Sequence, residues 1–287
     1  MKNKVLTGLL LVLIGGWGSL SAQSAGSNYS RQVNTLIGTK GVGLTSGYLY
    51  PGATYPYGMV QFTPSYFSKR SGFVINQLSG GGCEHMGNFP TFPVKGKLKM
   101  SPDNILNYRI NISEEKGHAG YYEAMVQEDI KAKLTVTERT GMASYEYPAD
   151  QQYGTVIIGG GISATPIEQA AIVITAPNKC EGYAEGGNFC GLRTPYKVYF
   201  VAEFDTDALE SGTWKRNELK PNTTFAEGEY SGVYFTFDVN KKKNIQYKIG
   251  VSYVSVENAR ENLKAENTGW DFLQIQNQAE SKWNHYL

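Results

Sequence analysis

This sequence lacks a surplus charge: 27 Lys and Arg stand against 26 Asp and Glu, a formal net charge of +1. A chain so balanced offers no broad basic surface for neutralising phosphates, which argues against nucleic acid as a partner. The only basic run, Lys241-Lys242-Lys243, is bracketed by Asn240 and Asn244 and reads as a solvated hairpin turn. Cysteine and histidine are scarce, at three each, with no Cys-x-x-Cys and with His85, His118 and His285 scattered, so sulfur or imidazole metal sites have no foundation. Gly-x-Ser-x-Gly is missing, which removes the simplest serine-hydrolase reading. Gly38-Thr-Lys-Gly-Val-Gly and Gly159-Gly-Gly-Ile lack the Lys-Ser/Thr end or the helix that a phosphate loop needs, and read as turns. Glu114-Glu115 and Asp205/Asp207 read as surface charges.

What is present begins with an export signal over residues 1–22. Lys2 and Lys4 precede an apolar stretch from Val5 to Trp17, and Ser19-Leu20-Ser21-Ala22 supplies small residues for cleavage after Ala22. No later stretch is apolar enough to span a bilayer, so no membrane association is expected after cleavage. An oxidising compartment permits disulfides. Cys180 and Cys190 bracket a Gly-rich segment, read as a loop that a bridge between them could close; spacing alone leaves that pairing open. Cys83 is then left as a small buried thiol.

Aromatics are abundant, with 20 Tyr and 12 Phe in a chain that is 41% hydrophobic, enough to fill a core. Asn34 to Pro64 is dense in Gly, Pro and aromatics, which implies irregular backbone with short strands. Tyr55, Tyr57, Met59 and Gln61 share a parity that would place them on one strand face. From Ile130 to Glu138, Ile130, Ala132, Leu134 and Val136 alternate with polar residues. Strand-length runs follow at Met142–Tyr147, Thr155–Ile158, Ala171–Thr175, Tyr196–Phe204, Gly232–Val239 and Ile245–Val256, with turn residues between them. Without intervening helical patterns, this series predicts an all-β antiparallel sandwich over residues 31–256. Residues 257–287 are different. Glu257 to Asn267 is helix-compatible, Thr268 with Asp271 suggests a capping arrangement, and Phe272, Ile275, Ala279, Trp283 and Leu287 form one apolar helical stripe. The stripe runs to the last residue, which suggests a helical linker cut off before a further domain.

The polar cluster that points to function is Leu78-Ser-Gly-Gly-Gly-Cys-Glu-His-Met-Gly-Asn. Three glycines let the backbone bend tightly, and Glu84, His85 and Asn88 follow as polar groups presented from a loop. The competing role is a loop-stabilising hydrogen-bond network, with His85 bonded to backbone.

Val33-Asn-Thr-Leu-Ile-Gly-Thr, Pro51-Gly-Ala-Thr-Tyr-Pro-Tyr-Gly-Met-Val-Gln and Leu78-Ser-Gly-Gly-Gly-Cys resemble the opening blocks of glycoside hydrolase family 92. So do Phe189-Cys-Gly with Tyr199-Phe, and Val251-Ser-Tyr-Val-Ser-Val-Glu-Asn-Ala. The resemblance implies an N-terminal β-supersandwich of galactose mutarotase-like fold with a C-terminal linker helix. It further implies an exported, periplasmic or secreted, bacterial enzyme that trims α-mannosides by inversion with the help of calcium. In that family the acid, the base and most calcium ligands lie on an (α/α) barrel after the linker, so no catalytic or metal-ligating residue carries over to this chain. The N-terminal domain would supply loops to the pocket rim, with Gly80 to Asn88 in that role: Glu84, His85 and Asn88 would then bind sugar hydroxyls, and Phe89 or Phe92 would offer an apolar face to a pyranose ring. The alternative is a stand-alone carbohydrate-binding or vestigial sandwich without catalysis.

Overall fold

The computed structural model of the chain describes residues 28–39, 49–65, 72–83, 85–102 and 111–287. The export signal, Glu84 and the first phosphate-loop-like motif beyond residue 39 lie outside the described residues. After a 3-10 turn at Tyr29–Gln32 come β1 (Ala53–Thr54), β2 (Gln61–Pro64), β3 (Phe73–Val74), β4 (Thr91–Lys95), β5 (Ile112–His118) and β6 (Tyr121–Val126). The middle of the chain forms β7 (Ile130–Val136), β8 (Thr140–Glu146), β9 (Tyr153–Gly159), β10 (Ile167–Ala176), β11 (Lys179–Phe189) and β12 (Leu192–Phe204). Then come β13 (Glu210–Lys215), β14 (Glu218–Pro221), β15 (Phe225–Glu227), β16 (Ser231–Asp238) and β17 (Asn244–Ser252), followed by helices α1 (Val256–Glu266) and α2 (Phe272–Tyr286).

The strands make two antiparallel sheets, one ordered β1-β2-β3-β4-β9-β16-β13-β14 and the other β15-β10-β11-β12-β17-β8-β7-β6-β5. This is the expected all-β antiparallel sandwich. Alternation decides which side chains meet between the sheets. In β7, Ile130, Ala132, Leu134 and Val136 are all fully buried, as the two-residue period requires. Aromatic pairs bridge the layers: Phe73 stacks on Tyr145 at 6.2 Å, and Phe204 meets Phe235 and Phe237 at 5.0 Å each. Lys241 to Lys243 do form a turn, but one that carries the chain from β16 in the first sheet to β17 in the second. It is a crossover, not a hairpin. Asp205 is no free surface charge either. Its carboxylate sits 2.8 Å from the Lys242 ammonium and accepts the Gln246 N–H at 3.1 Å.

Two helices occupy the C-terminal end, where a linker helix was expected. Both lie on the outer face of the larger sheet. Ser255 caps α1, accepting the Asn258 N–H at 3.1 Å. Asp271 itself caps α2, accepting from the Gln274 N–H at 3.0 Å, where the sequence suggested a box begun by Thr268. Ala259 and Leu263 of α1 pack on Val201, while Phe272 and Ile275 of α2 pack on Met142. Burying each large apolar side chain stabilises the contact by about 1.5–3 kcal/mol at most. The stripe holds through Ala279 and thins at Trp283, and Leu287 is 52% exposed. Polar clasps reinforce the packing. Glu266 accepts from Thr137 Oγ1 at 2.6 Å, from the Arg139 N–H at 2.8 Å and from the Arg139 guanidinium, and Arg31 Nε meets the Glu280 carboxylate at 2.9 Å.

Candidate functional site

The triple glycine fixes the geometry of one end of the sandwich. Gly80 and Gly82 adopt left-handed φ of +76° and +73°, which other residues adopt only with strain. Gly81 lies against the imidazole, since a Cβ there would stand 2.8 Å from His85 Cε1. His85 is 1% exposed. Its Nε2 accepts the Leu78 N–H at 2.9 Å and its Nδ1 faces the Cys83 carbonyl at 2.7 Å. A backbone N–H can only donate and a carbonyl can only accept, so the neutral Nδ1–H tautomer satisfies both. His85 is thereby placed as a loop organiser, bonded to backbone. Asn88, fully buried, accepts the Tyr196 hydroxyl at 2.9 Å and pairs reciprocally with Asn76: its own N–H donates to Asn76 Oδ1 at 2.7 Å, and Asn76 Nδ2 donates back at 3.0 Å. Burial outweighs that Asn88 bond and pushes the Tyr196 phenol up to about 12. Phe89 and Phe92 are core residues, 1% and 0% exposed, with Phe89 against Phe200 at 4.2 Å, so neither is a surface platform.

Cysteine pairing departs from the sequence reading. Cys83 joins Cys190, with Cα atoms 5.4 Å apart, and Cys180 is the free, buried thiol. The reason is the segment between Cys180 and Cys190, which is not a loop but the 11-residue strand β11. An extended strand holds residues ten apart at roughly 30 Å, against the ~7 Å that a bridge tolerates. The crosslink instead pins the glycine loop to the tip of the β11–β12 hairpin, where Phe189 meets His85 edge-on at 5.0 Å.

Beside this clamp lies a cleft of about 490 Å³. Gln61, Asn76 and Gln77 form its floor, and Met59, Tyr253 and Trp283 its walls. Leu78 and Met86 separate it from a smaller apolar slot of about 220 Å³ lined by His85, Phe189, Pro195 and Tyr196. Tyr55 to Gly58 is a turn closed by the Gly58 N–H to the Tyr55 carbonyl, not the expected strand. That turn still brings Tyr55, Met59 and Gln61 to the cleft, while Tyr57 points away, 88% exposed. Tyr57, Met86, Phe89 and Cys190 all carry left-handed φ of 47–58°. Such strain costs on the order of 1–3 kcal/mol per residue and persists where surrounding structure enforces it, often at ligand sites. Tyr253 accepts from Asn76 Nδ2 at 3.3 Å, and burial of its phenol raises its pKa despite that bond.

The sequence pointed to Glu84, His85 and Asn88, and the structure joins His85 and Asn88 to the scaffold of this region. It adds Gln77, Tyr253 and Trp283, which pattern reading passed over. Gln77 directly precedes the loop that was singled out, and Trp283 was hidden in the helical stripe. Its indole N–H in fact donates to the Thr54 carbonyl at 2.7 Å. No Asp or Glu is among the described residues that line the cleft. Among the described residues, no group of three or more His, Cys, Asp or Glu could hold a metal ion. None of the described helices is long and apolar enough to cross a membrane.

Residues 32–252 match the glycosyl hydrolase family 92 N-terminal domain. A curated relative, an uncharacterized secreted glycosidase of Arthroderma benhamiae, is 25% identical over 90% of this chain and 38% of its own length. Two solved structures from Bacteroides thetaiotaomicron share the fold. A family GH92 alpha-mannosidase matches with TM-score 0.78 and 24% identity over 90% of this chain and 38% of that one. A family GH92 inverting mannosidase matches with TM-score 0.73 and 22% identity over 88% and 35%. The chain thus spans well under half the length of these relatives.

Proposed function

The chain belongs to glycosyl hydrolase family 92 through its N-terminal domain, and from that premise we propose that it forms the carbohydrate-binding rim of an exo-acting, inverting α-mannosidase. Its substrate in this reading is the terminal α-mannose of glycoprotein glycans. The observation that carries the proposal is the cleft beside the clamped glycine loop, with an amide-rich floor and Tyr253 and Trp283 as walls. Amides suit sugar hydroxyls, and aromatic walls suit the apolar faces of pyranose rings.

Inversion needs two carboxyl groups about 6.5–9.5 Å apart, one to protonate the leaving oxygen and one to activate water. In this reading both roles belong to an (α/α) barrel domain joined in cis or in trans, and the described residues lining the cleft include no carboxyl group. Calcium belongs with that barrel in this reading. Among the described residues, no group of three or more His, Cys, Asp or Glu could hold it. This chain's own contribution is orientation: Asn76, Asn88 and His85 hold the loop, and the loop with Gln61 and Gln77 faces the glycan. Glu84 remains a proposed sugar ligand on the same loop. The protein is exported by the segment 1–22 and acts in the periplasm or outside the cell.

Turnover of an aryl α-mannoside, with and without calcium, tests this. The full chain alone should release no more aryl alcohol than buffer, and chain plus barrel domain should release it in a calcium-dependent way. Calcium-dependent turnover by this chain alone would relocate the active site. A barrel-completed protein that leaves α-mannosides intact would overturn the substrate assignment.

A further inference from the structure

Gln77 is 1% exposed, yet neither the oxygen nor the nitrogen of its carboxamide has a hydrogen-bond partner among the described residues. It lies between two well-bonded neighbours. Asn76 is held by Asn88 and Tyr253, and the Leu78 N–H by His85. Gln61 Oε1, on the same cleft floor, is also unpartnered, as is the Nδ2 of Asn88 behind Asn76. A protein interior rarely leaves a buried amide bare at both atoms, and here it lies on a cleft floor beside the unpaired oxygen of a second amide, Gln61. Leaving a polar group unpaired costs stability, whereas an apolar side chain of the same shape would cost none. Where such a group lines a cleft, a bound ligand that completes the bonding offsets that cost.

We infer that Gln77 is a specificity-determining residue whose carboxamide reads a vicinal pair of hydroxyls on the glycan in the cleft. This rests on the mannoside reading above. A carboxamide presents a donor and an acceptor side by side in one plane, and two adjacent sugar hydroxyls each donate and accept. The pairing is therefore bidentate in either sense. Tyr253 and Trp283 flank the cleft and take the C–H face of the ring. Both amide atoms are closed over in the free chain, so rotation about the flexible Gln77 side chain brings them to the ligand. No protein bond has to break for that rotation. Selectivity follows, because an analogue lacking one hydroxyl leaves half the amide unpaired.

The test is Gln77→Met, close in shape and without the amide, in the full chain. Affinity for methyl α-mannoside and for its 2-deoxy and 3-deoxy analogues is measured by titration calorimetry, alongside thermal melting. We expect Gln77→Met to bind methyl α-mannoside at least about tenfold more weakly than wild type. One deoxy analogue should bind both proteins equally. The variant should melt at or above the wild-type temperature, since an unpaired buried amide has been removed. Equal mannoside affinity in the two proteins overturns the inference, and so does a variant melting several degrees lower, which would mean that the amide is bonded structurally. Gln77-dependent binding of a galactoside but not a mannoside would keep the role of Gln77 and sink the mannoside reading. A wild type that binds mannoside, glucoside and galactoside no better than buffer would sink the role of Gln77, while turnover by the barrel-completed protein still decides the mannosidase reading.

Discussion

Gly250 of β17 lies so close beneath α1 that a Cβ there would stand 2.5 Å from the Ala259 carbonyl oxygen and 2.8 Å from Leu263 Cβ. The helix rests on the sheet only because that position has no side chain. Gly250→Ala must lift α1 or bend the strand, and overpacking of this kind costs about 1–3 kcal/mol. The variant should melt several degrees below wild type in a calorimetric scan. A melting temperature within one degree of wild type would show that the helix is free to ride outward.

The Cys83–Cys190 crosslink closes a loop with a sequence separation of 107. A native bridge of that reach stabilises a domain by about 2–5 kcal/mol, chiefly by restricting the unfolded chain. Cys190→Ser should lower the melting temperature and abolish its dependence on reductant. Ellman titration checks the pairing itself. Burial pushes the Cys180 thiol far up, so the non-reduced native protein should show no reactive thiol and the denatured protein one. A reactive thiol in the native state would point to Cys83 being free.

Alkaline pH should unfold the domain. Burial raises the phenol pKa of Tyr145, Tyr147 and Tyr247 well beyond the ordinary value, and that of Tyr196 to about 12. Their folded pKa values exceed the unfolded one, so the folded state holds protons that the unfolded state releases. Their contribution is complete below about pH 10 and declines from there as pH rises toward the folded values, by up to ~1.4 kcal/mol per pH unit for each tyrosine. Melting temperature should hold to about pH 9.5 and then drop steeply, with tyrosinate absorbance at 295 nm rising in step with unfolding. A flat stability profile to pH 12 would contradict the burial of these phenols.

The sandwich was legible wherever one sheet face is solvated, because alternation survives there. Ile130 to Val136 is the clearest case. Strand β11 was not legible, since Gly182, Gly186 and Gly187 read as a loop. The structure gives the reason at Gly182, where a Cβ would stand 2.1 Å from the Ala171 carbonyl oxygen of the adjacent strand. That crowding comes from a partner strand, which local sequence does not display. The misread strand in turn misassigned the disulfide. At the candidate site, the glycine loop stood out by composition. Gln77 did not, because an amide becomes informative only once its surroundings are known to offer it nothing. Trp283 was read as a packing residue because its spacing fits the helical stripe, and only the fold reveals its bond to Thr54.

The Trp283 indole bond to Thr54 has a mechanical meaning. Helix α2 is tied at its N-terminal half to Met142, in its last turns to Ser30 through Asn284 and to Arg31 through Glu280, and at Trp283 to the lip of the cleft. A shift of the helix would therefore move this wall of the cleft. A torque applied to α2 by anything docked on its outward side reaches the cleft wall through one indole, with no intervening loop to absorb it. The helix is a lever with its short arm at the cleft.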